Sequence, residues 1–195
     1  MKKSDFKRLA FFLGYNFLLS LFIGVAYLFF AGSHPLELAF VSAALVSNTV
    51  MLYAALALPS ALLFLFRPGR WLLGGLLGFF QLALVTDAAV YKIFKFHLNS
   101  MVLNLLTTPG GLDSLEQGWG MKVFFVCLAV SLFAAQALFW RLSGRAVKKY
   151  CVGGGCFKAL AAVLLLFVVT DKGLFAWGTL YDSPYITRNS QLFPL

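Results

Sequence analysis

Two histidines, three cysteines and seven acidic residues are all that this 195-residue chain offers to the chemistry of sites. A catalytic metal needs several such ligands at close spacing, and the sequence shows no such cluster. No nucleophile, histidine and acid gather on one side of the chain, and no glycine loop runs into a Lys and a Ser or Thr that would cradle a phosphate. These absences argue against an enzyme in these residues and against a bound cofactor. The cysteines are too few for a disulfide framework. Cys151 and Cys156 flank Val152 and three glycines, Cys127 lies inside an apolar run, and all three read as small apolar filler.

Charge is scarce as well. Charged residues make up 12% of the chain against 61% hydrophobic ones, with a mean hydropathy of +0.87. A water-soluble domain of this size could not hide so much apolar surface in one core, so lipid has to cover the remainder. The net charge of +9 raises nucleic acid as a partner. The basic residues, however, stand in short clusters beside apolar runs and form no basic face, which excludes it.

What the chain does have is five long apolar runs, over residues 9–32, 38–66, 71–91, 121–140 and 157–177. Each approaches or exceeds the roughly 20 residues that cross a hydrocarbon core of about 30 Å at about 1.5 Å per residue. The first is too long for a signal-peptide core and no small-residue cleavage site follows it. The second contains Pro59, which predicts a kink near Leu56. The expected fold is an all-α membrane protein, a five-transmembrane-helix bundle over residues 1–180.

Orientation follows from the cations. Lys2, Lys3, Lys7 and Arg8, then Arg67 and Arg70, then Arg141, Arg145, Lys148, Lys149 and Lys158 fall in the gaps on one side, eleven of the sixteen Lys and Arg. That side is predicted to be cytoplasmic, which puts the C-terminus outside. Residues 92–120 then form the longest outer connection. Phe94, Leu98, Met101 and Leu105 alternate there with Lys92, Lys95, Asn99 and Asn104 at helical spacing, predicting an amphipathic helix from Tyr91 that lies in the interface. Such a helix either binds lipid or simply caps the bundle. Its cations Lys92 and Lys95, with His97, Asn99 and, in the tail, Arg188, are the candidate residues for anionic headgroups.

Two acids lie within spans. Asp87 and Asp171 each close a Val-Thr-Asp triplet and both fall towards the outer side, Asp87 nearer to water. A carboxylate at the bilayer centre costs about 2.5–3.5 kcal/mol on insertion scales, so each should face a partner. Lys92, Lys122 and Lys172 are the cations within reach, Lys172 only by snorkelling or through a neighbouring helix. The bland role, an ion pair that holds helices together, competes with a lipid-headgroup or proton site. Gly74 and Gly78 provide a small-residue pair for close helix approach. The repeated triplet is too short to signal the inverted repeats of a transporter.

The run Asn16-Phe-Leu-Leu-Ser-Leu-Phe-Ile-Gly-Val-Ala-Tyr-Leu-Phe resembles the first membrane helix of the PbgA/YejM inner-membrane family of Gram-negative bacteria. So do Asp87, Phe94, the Phe96-His97-Leu98-Asn99 segment, Val102, Pro109, Trp177, Tyr181 and Pro184, colinear over almost the whole chain. The resemblance implies five membrane helices and a linker, followed by a periplasmic domain similar to sulfatases and alkaline phosphatases. It also implies binding of lipid A or acidic phospholipid at the outer face, and restraint of lipopolysaccharide synthesis through a membrane-anchored tetratricopeptide adaptor that serves a protease. Lipoteichoic acid synthases share the five-helix-plus-hydrolase plan. Residues 181–195 are expected to be an exposed tail that begins the linker, with the hydrolase-like domain beyond Leu195. The chain is thus expected to be the membrane module of an envelope regulator. The alternative is the anchor of a sulfatase- or phosphatase-like transferase or hydrolase.

With this topology, a cysteine placed at Ser114 reacts with an impermeant thiol reagent added from outside, while one at Ser143 does not. The reverse pattern would invert the assignment.

Overall fold

The computed structural model describes residues 3–99, 118–149, 154–190 and 192. Among these, all regular structure is helical, and five helices are long and apolar enough to cross a membrane. The first, α1 (Lys3–Gly24), tightens at its end into a 3-10 stretch (Val25–Phe30) that turns Tyr27 inward. After a short bend His34 caps α2 (Pro35–Leu65). Its Nδ1 accepts the Leu36 N–H at 3.2 Å, Pro35 occupies the first turn where no amide is missed, and Glu37 sits at the positive end of the helix dipole. One extended residue, Phe66, separates α2 from α3 (Arg67–Phe94), which again opens on a proline. Two long helices follow, α4 (Trp119–Lys149) and α5 (Gly154–Leu180), and then a single turn, α6 (Pro184–Thr187).

The bundle is built around α2. Phe40, Val41, Ala44, Leu45, Tyr53 and Phe64 are among its buried positions, and it packs on α1, α3 and α5. Helix α4 lies on the other side, against α1 and α3. Among the described residues α5 touches only α2 and α6, and just 6% of its most apolar window is buried against 39% for α2. Apolar side chains nevertheless cover the outside of the molecule as fully as the inside. Phe22, Phe29, Leu58 and Leu166 are all more than half exposed, which suits acyl chains as the surrounding solvent. Helix α2 continues unbroken past Pro59, as a proline in a membrane helix is able to do when its neighbours accommodate the freed carbonyl. Helix α4 runs on past Trp140 to Lys149 because Arg141, Arg145, Lys148 and Lys149 end the apolar run without ending the helix, and cations favour a helix C-terminus.

The expected small-residue approach is present at one of its two positions. A Cβ on Gly78 would stand 2.8 Å from the ring of Phe133 on α4, whereas at Gly74 the nearest atom would be 4.0 Å away. Only a glycine lets α3 and α4 come this close at residue 78.

Two expectations are corrected. The described part of the expected interfacial helix is split: α3 absorbs residues 91–94, Lys95 takes the left-handed conformation (φ 60°), and residues 95–99 fold back instead of continuing as helix. Residues 100–117, the rest of that segment, and Cys151 lie outside the described residues. The tail from Tyr181 is not uniformly exposed. Just beyond α5, Asp182 takes the left-handed region (φ 49°), with the Ser183 N–H returned to the Gly178 carbonyl at 2.8 Å, the reversal of a Schellman end. The chain then turns back, and Ile186 (0% exposed) and Leu192 enter one apolar cluster with Tyr27, Phe40, Val41 and Ala88. Tyr185 stacks on His34 with ring centroids 4.1 Å apart. The apolar side chains of the tail are what fold it onto the bundle.

Replacing Ile186 with Ala should cost about 2–5 kcal/mol, as for other fully buried aliphatic side chains. Unfolding in mild detergent by a mixed-denaturant titration measures it, and a loss under about 0.5 kcal/mol, the surface-site range, would show that the tail is not docked in solution.

Candidate functional site

Asp87 lies on α3 about 10 Å from its end, at about 1.5 Å per residue, and is buried against α1. Tyr27 donates its hydroxyl proton to Asp87 Oδ2 at 2.5 Å, and the Leu98 backbone N–H donates to Oδ1 at 2.6 Å. His97 Nδ1 stands 2.7 Å from Oδ2, as a donor whether the ring is neutral with that nitrogen protonated or fully charged. One carboxylate therefore gathers three groups from two places: the 3-10 end of α1 and the chain just beyond α3. The left-handed Lys95 makes this possible, because its N–H closes α3 on the Tyr91 carbonyl at 2.9 Å and reverses the chain, so that residues 97 and 98 come back to residue 87. The His97 ring stacks on Tyr91 at 4.6 Å, and Tyr27 and Phe30 complete an aromatic box around the pair. Lys95 extends over Phe30 and Tyr91 with its Nζ 5.3 and 5.9 Å from the ring centroids.

Of the cations expected near the acids, Lys92 is exposed and Lys122 lies over the Trp119 ring, so neither is the partner of Asp87; His97 and Tyr27 take that place. Asp171 is also buried, at 3% exposure against 5% for Asp87. Its Oδ2 lies 3.1 Å from Lys172 Nζ, and the two are neighbours on the same helix. The long stem of Lys172, which is mostly exposed, curls back to reach it. The contact has the distance of an ion pair without the alignment of a hydrogen bond, since the same oxygen has no hydrogen-bond partner. Asn99 and Arg188 are exposed at the same end of the molecule as Asp87.

A second polar assembly was not foreseen from the residues. In the middle of the bundle Gln81 Nε2 on α3 contacts the Asn16 carbonyl at 3.0 Å, the Ser20 hydroxyl at 2.9 Å and the Tyr53 hydroxyl at 3.1 Å, two protons shared among three acceptors. Gln136 on α4 donates to Asn16 Oδ1 at 2.8 Å. Four helices meet in this network. Its signal in the sequence was a lone amide in the middle of each of three apolar runs, Asn16, Gln81 and Gln136.

Chemically, the Asp87 site fastens three groups to one carboxylate. Its acid meets three donors, and the adjacent Thr86 hydroxyl is turned back to the Leu82 carbonyl at 2.9 Å. Among the described residues no three metal-ligating side chains converge.

A family model described as Domain of unknown function (DUF3413) matches residues 6–195. The chain belongs to that family. An uncharacterised protein of Haemophilus influenzae is 32% identical over 117 residues, which cover 57% of this chain and 18% of that protein. The chain thus corresponds to a small part of the length of the relative it matches.

Removing the Tyr27 hydroxyl (Tyr27→Phe) should cost about 1–3 kcal/mol, because one buried acceptor loses a close donor. Asp87→Ala should cost more and should also free residues 97–99, read as faster thiol labelling of a cysteine introduced at Asn99. Unchanged labelling in Asp87→Ala would mean that the carboxylate does not hold the fold-back.

Proposed function

We propose that this chain is the membrane module of a larger envelope protein of the PbgA/YejM kind, which binds anionic lipid, lipid A or acidic phospholipid, at the outer face of the bacterial inner membrane. In that role it regulates lipopolysaccharide synthesis through a membrane partner such as a membrane-anchored tetratricopeptide adaptor. The observation that carries the proposal is the Asp87 lock. The segment in which the resemblance is most specific, Phe96-His97-Leu98-Asn99, is the one that Asp87 fastens to α1, so the start of the outer connection is held in a fixed place at the end of the bundle. Membership of the family over nearly the whole chain and a relative many times longer than the matched stretch support a module within a larger protein.

In this proposal Lys92, Lys95 and Arg188 supply the positive charge and Asn99 a neutral polar contact. His97 acts through Asp87, orienting the segment. Each cation near anionic lipid contributes about 1 kcal/mol, enough to bias which lipid occupies the site. The other reading, an anchor for a sulfatase- or phosphatase-like enzyme, draws on the same length of the relative and would place all chemistry outside these residues.

Changing Lys92, Lys95 and Arg188 together to Gln should lower the co-purified anionic lipid several-fold, as quantified by mass spectrometry after mild detergent extraction. Stability should fall by no more than about 0.5–1 kcal/mol, the worth of the Lys95 contact with Phe30 and Tyr91. An unaltered lipid complement would reduce this end to a structural cap.

A further inference from the structure

At the end of the bundle opposite Asp87, a cavity of about 610 Å³ opens between α1, α3 and α4. Its mouth is cationic, lined by Arg8, Arg70 and Arg141. The Arg8 guanidinium lies 4.0 Å over the Trp140 ring and donates to the Trp140 carbonyl at 3.2 Å, while Arg70 lies 4.9 Å over Phe64. The Nε donors of both are buried without an acceptor. Arg8 experiences Arg70 as a like charge and Asp5 as an opposite one, and no carboxylate is among the residues that line the cavity. Stacking on aromatic rings fixes the direction of the guanidinium planes but leaves most of their positive charge unneutralised.

The interior has a different character. Phe133 and Gly75 form apolar walls, and the space beside Gly75 is open, since a Cβ there would meet nothing within 4 Å. Trp71, 82% exposed, stands at the rim. Tryptophans favour the headgroup level of a bilayer, which sets the three arginines at the depth of lipid phosphates. An isolated inorganic anion would satisfy the mouth and leave the apolar half unfilled. A molecule with a phosphate at one end and a hydrocarbon chain at the other matches both halves.

We propose that this cavity is a binding site for an anionic phospholipid, its phosphate held by Arg8, Arg70 and Arg141 and one acyl chain starting along Gly75 and Phe133. By the charge bias of the connections that lipid belongs to the cytoplasmic leaflet, so the site is distinct from the one proposed at the Asp87 end. Arginine suits it better than lysine would, because a planar fork with several donors grips phosphate oxygens in pairs.

The test is a titration of the full chain in a neutral detergent with dihexanoyl phosphatidylglycerol, followed by the fluorescence of its tryptophans, two of which line the cavity. Saturable binding is expected. Arg141→Gln, an exposed position, should weaken it about fivefold, the equivalent of one cation near an anionic lipid. Gly75→Leu, which fills open space and so preserves the fold, should weaken it about tenfold or more. The variant lacking Lys92, Lys95 and Arg188 should titrate like the parent, so that failure here and failure at the other end are told apart. Equal binding of dihexanoyl phosphatidylcholine would overturn the anionic requirement. The same saturating response to inorganic phosphate would overturn the lipid, and indifference to both Arg141→Gln and Gly75→Leu would overturn the site.

Discussion

Helices inside a bilayer gain almost nothing by hiding apolar side chains from one another, because lipid tails are as apolar as the partner helix. What holds this bundle is therefore a small set of polar contacts and close approaches, and the arrangement of the rest follows from them. Gln81 at the centre links α1, α2 and α3, Gln136 brings in α4, and glycine at position 78 lets α3 and α4 meet at the same level. About two turns from the end of α3, Asp87 ties that helix to the end of α1 through Tyr27. The donors of Gln81 and Gln136 and the Asp87 carboxylate would be expensive to leave unpaired in a hydrocarbon environment, so these contacts restrict how the helices pack. The Oε1 atoms of both glutamines have no hydrogen-bond partner among the described residues.

Much of this architecture was legible in the residues, for a physical reason. A membrane allows only long, internally bonded elements, so five apolar runs translate almost directly into five helices. The ends were less legible. At α4 the charged stretch after Trp140 marks where lipid stops, and the helix does not stop there, because Arg and Lys are good helix formers. Asp87 and Asp171 could be picked out as buried acids from the cost of placing them in lipid. The partner of Asp87 could not, because it lies beyond a left-handed turn at a lysine, and no local rule predicts that a non-glycine residue will adopt that conformation. The docking of Ile186 was hidden for a related reason: an apolar residue near a terminus looks the same whether it packs or trails free. The central amides were visible as isolated polar letters, yet which of them meet depends on helix rotation, and a nearly all-apolar helix carries little information on that.

The two ends of the bundle are chemically unlike. At one, a carboxylate is closed off by a tyrosine, a histidine and a backbone amide, and the surrounding aromatic rings leave it little room to change partners. At the other, guanidinium groups lie on aromatic rings with donors still unused, around a space that is open. The first end has the character of a fastening. The second has that of a receptacle, and the proposals for the two ends differ accordingly.

The seat of α5 lies apart from the central amides. This helix is the last of the five to be synthesised, and among the described residues it meets only α2 and the short turn that follows it. The four earlier helices share the Gln81 and Gln136 contacts without it, so that network does not depend on α5. Its docking is then closed by the returning chain, with Gly178 against Ile186 and His34 against Tyr185. Any segment attached after residue 192 is consequently launched from a turn seated on both α2 and α5, so a force or displacement transmitted through that segment bears on the central helix as well as on the helix that precedes it.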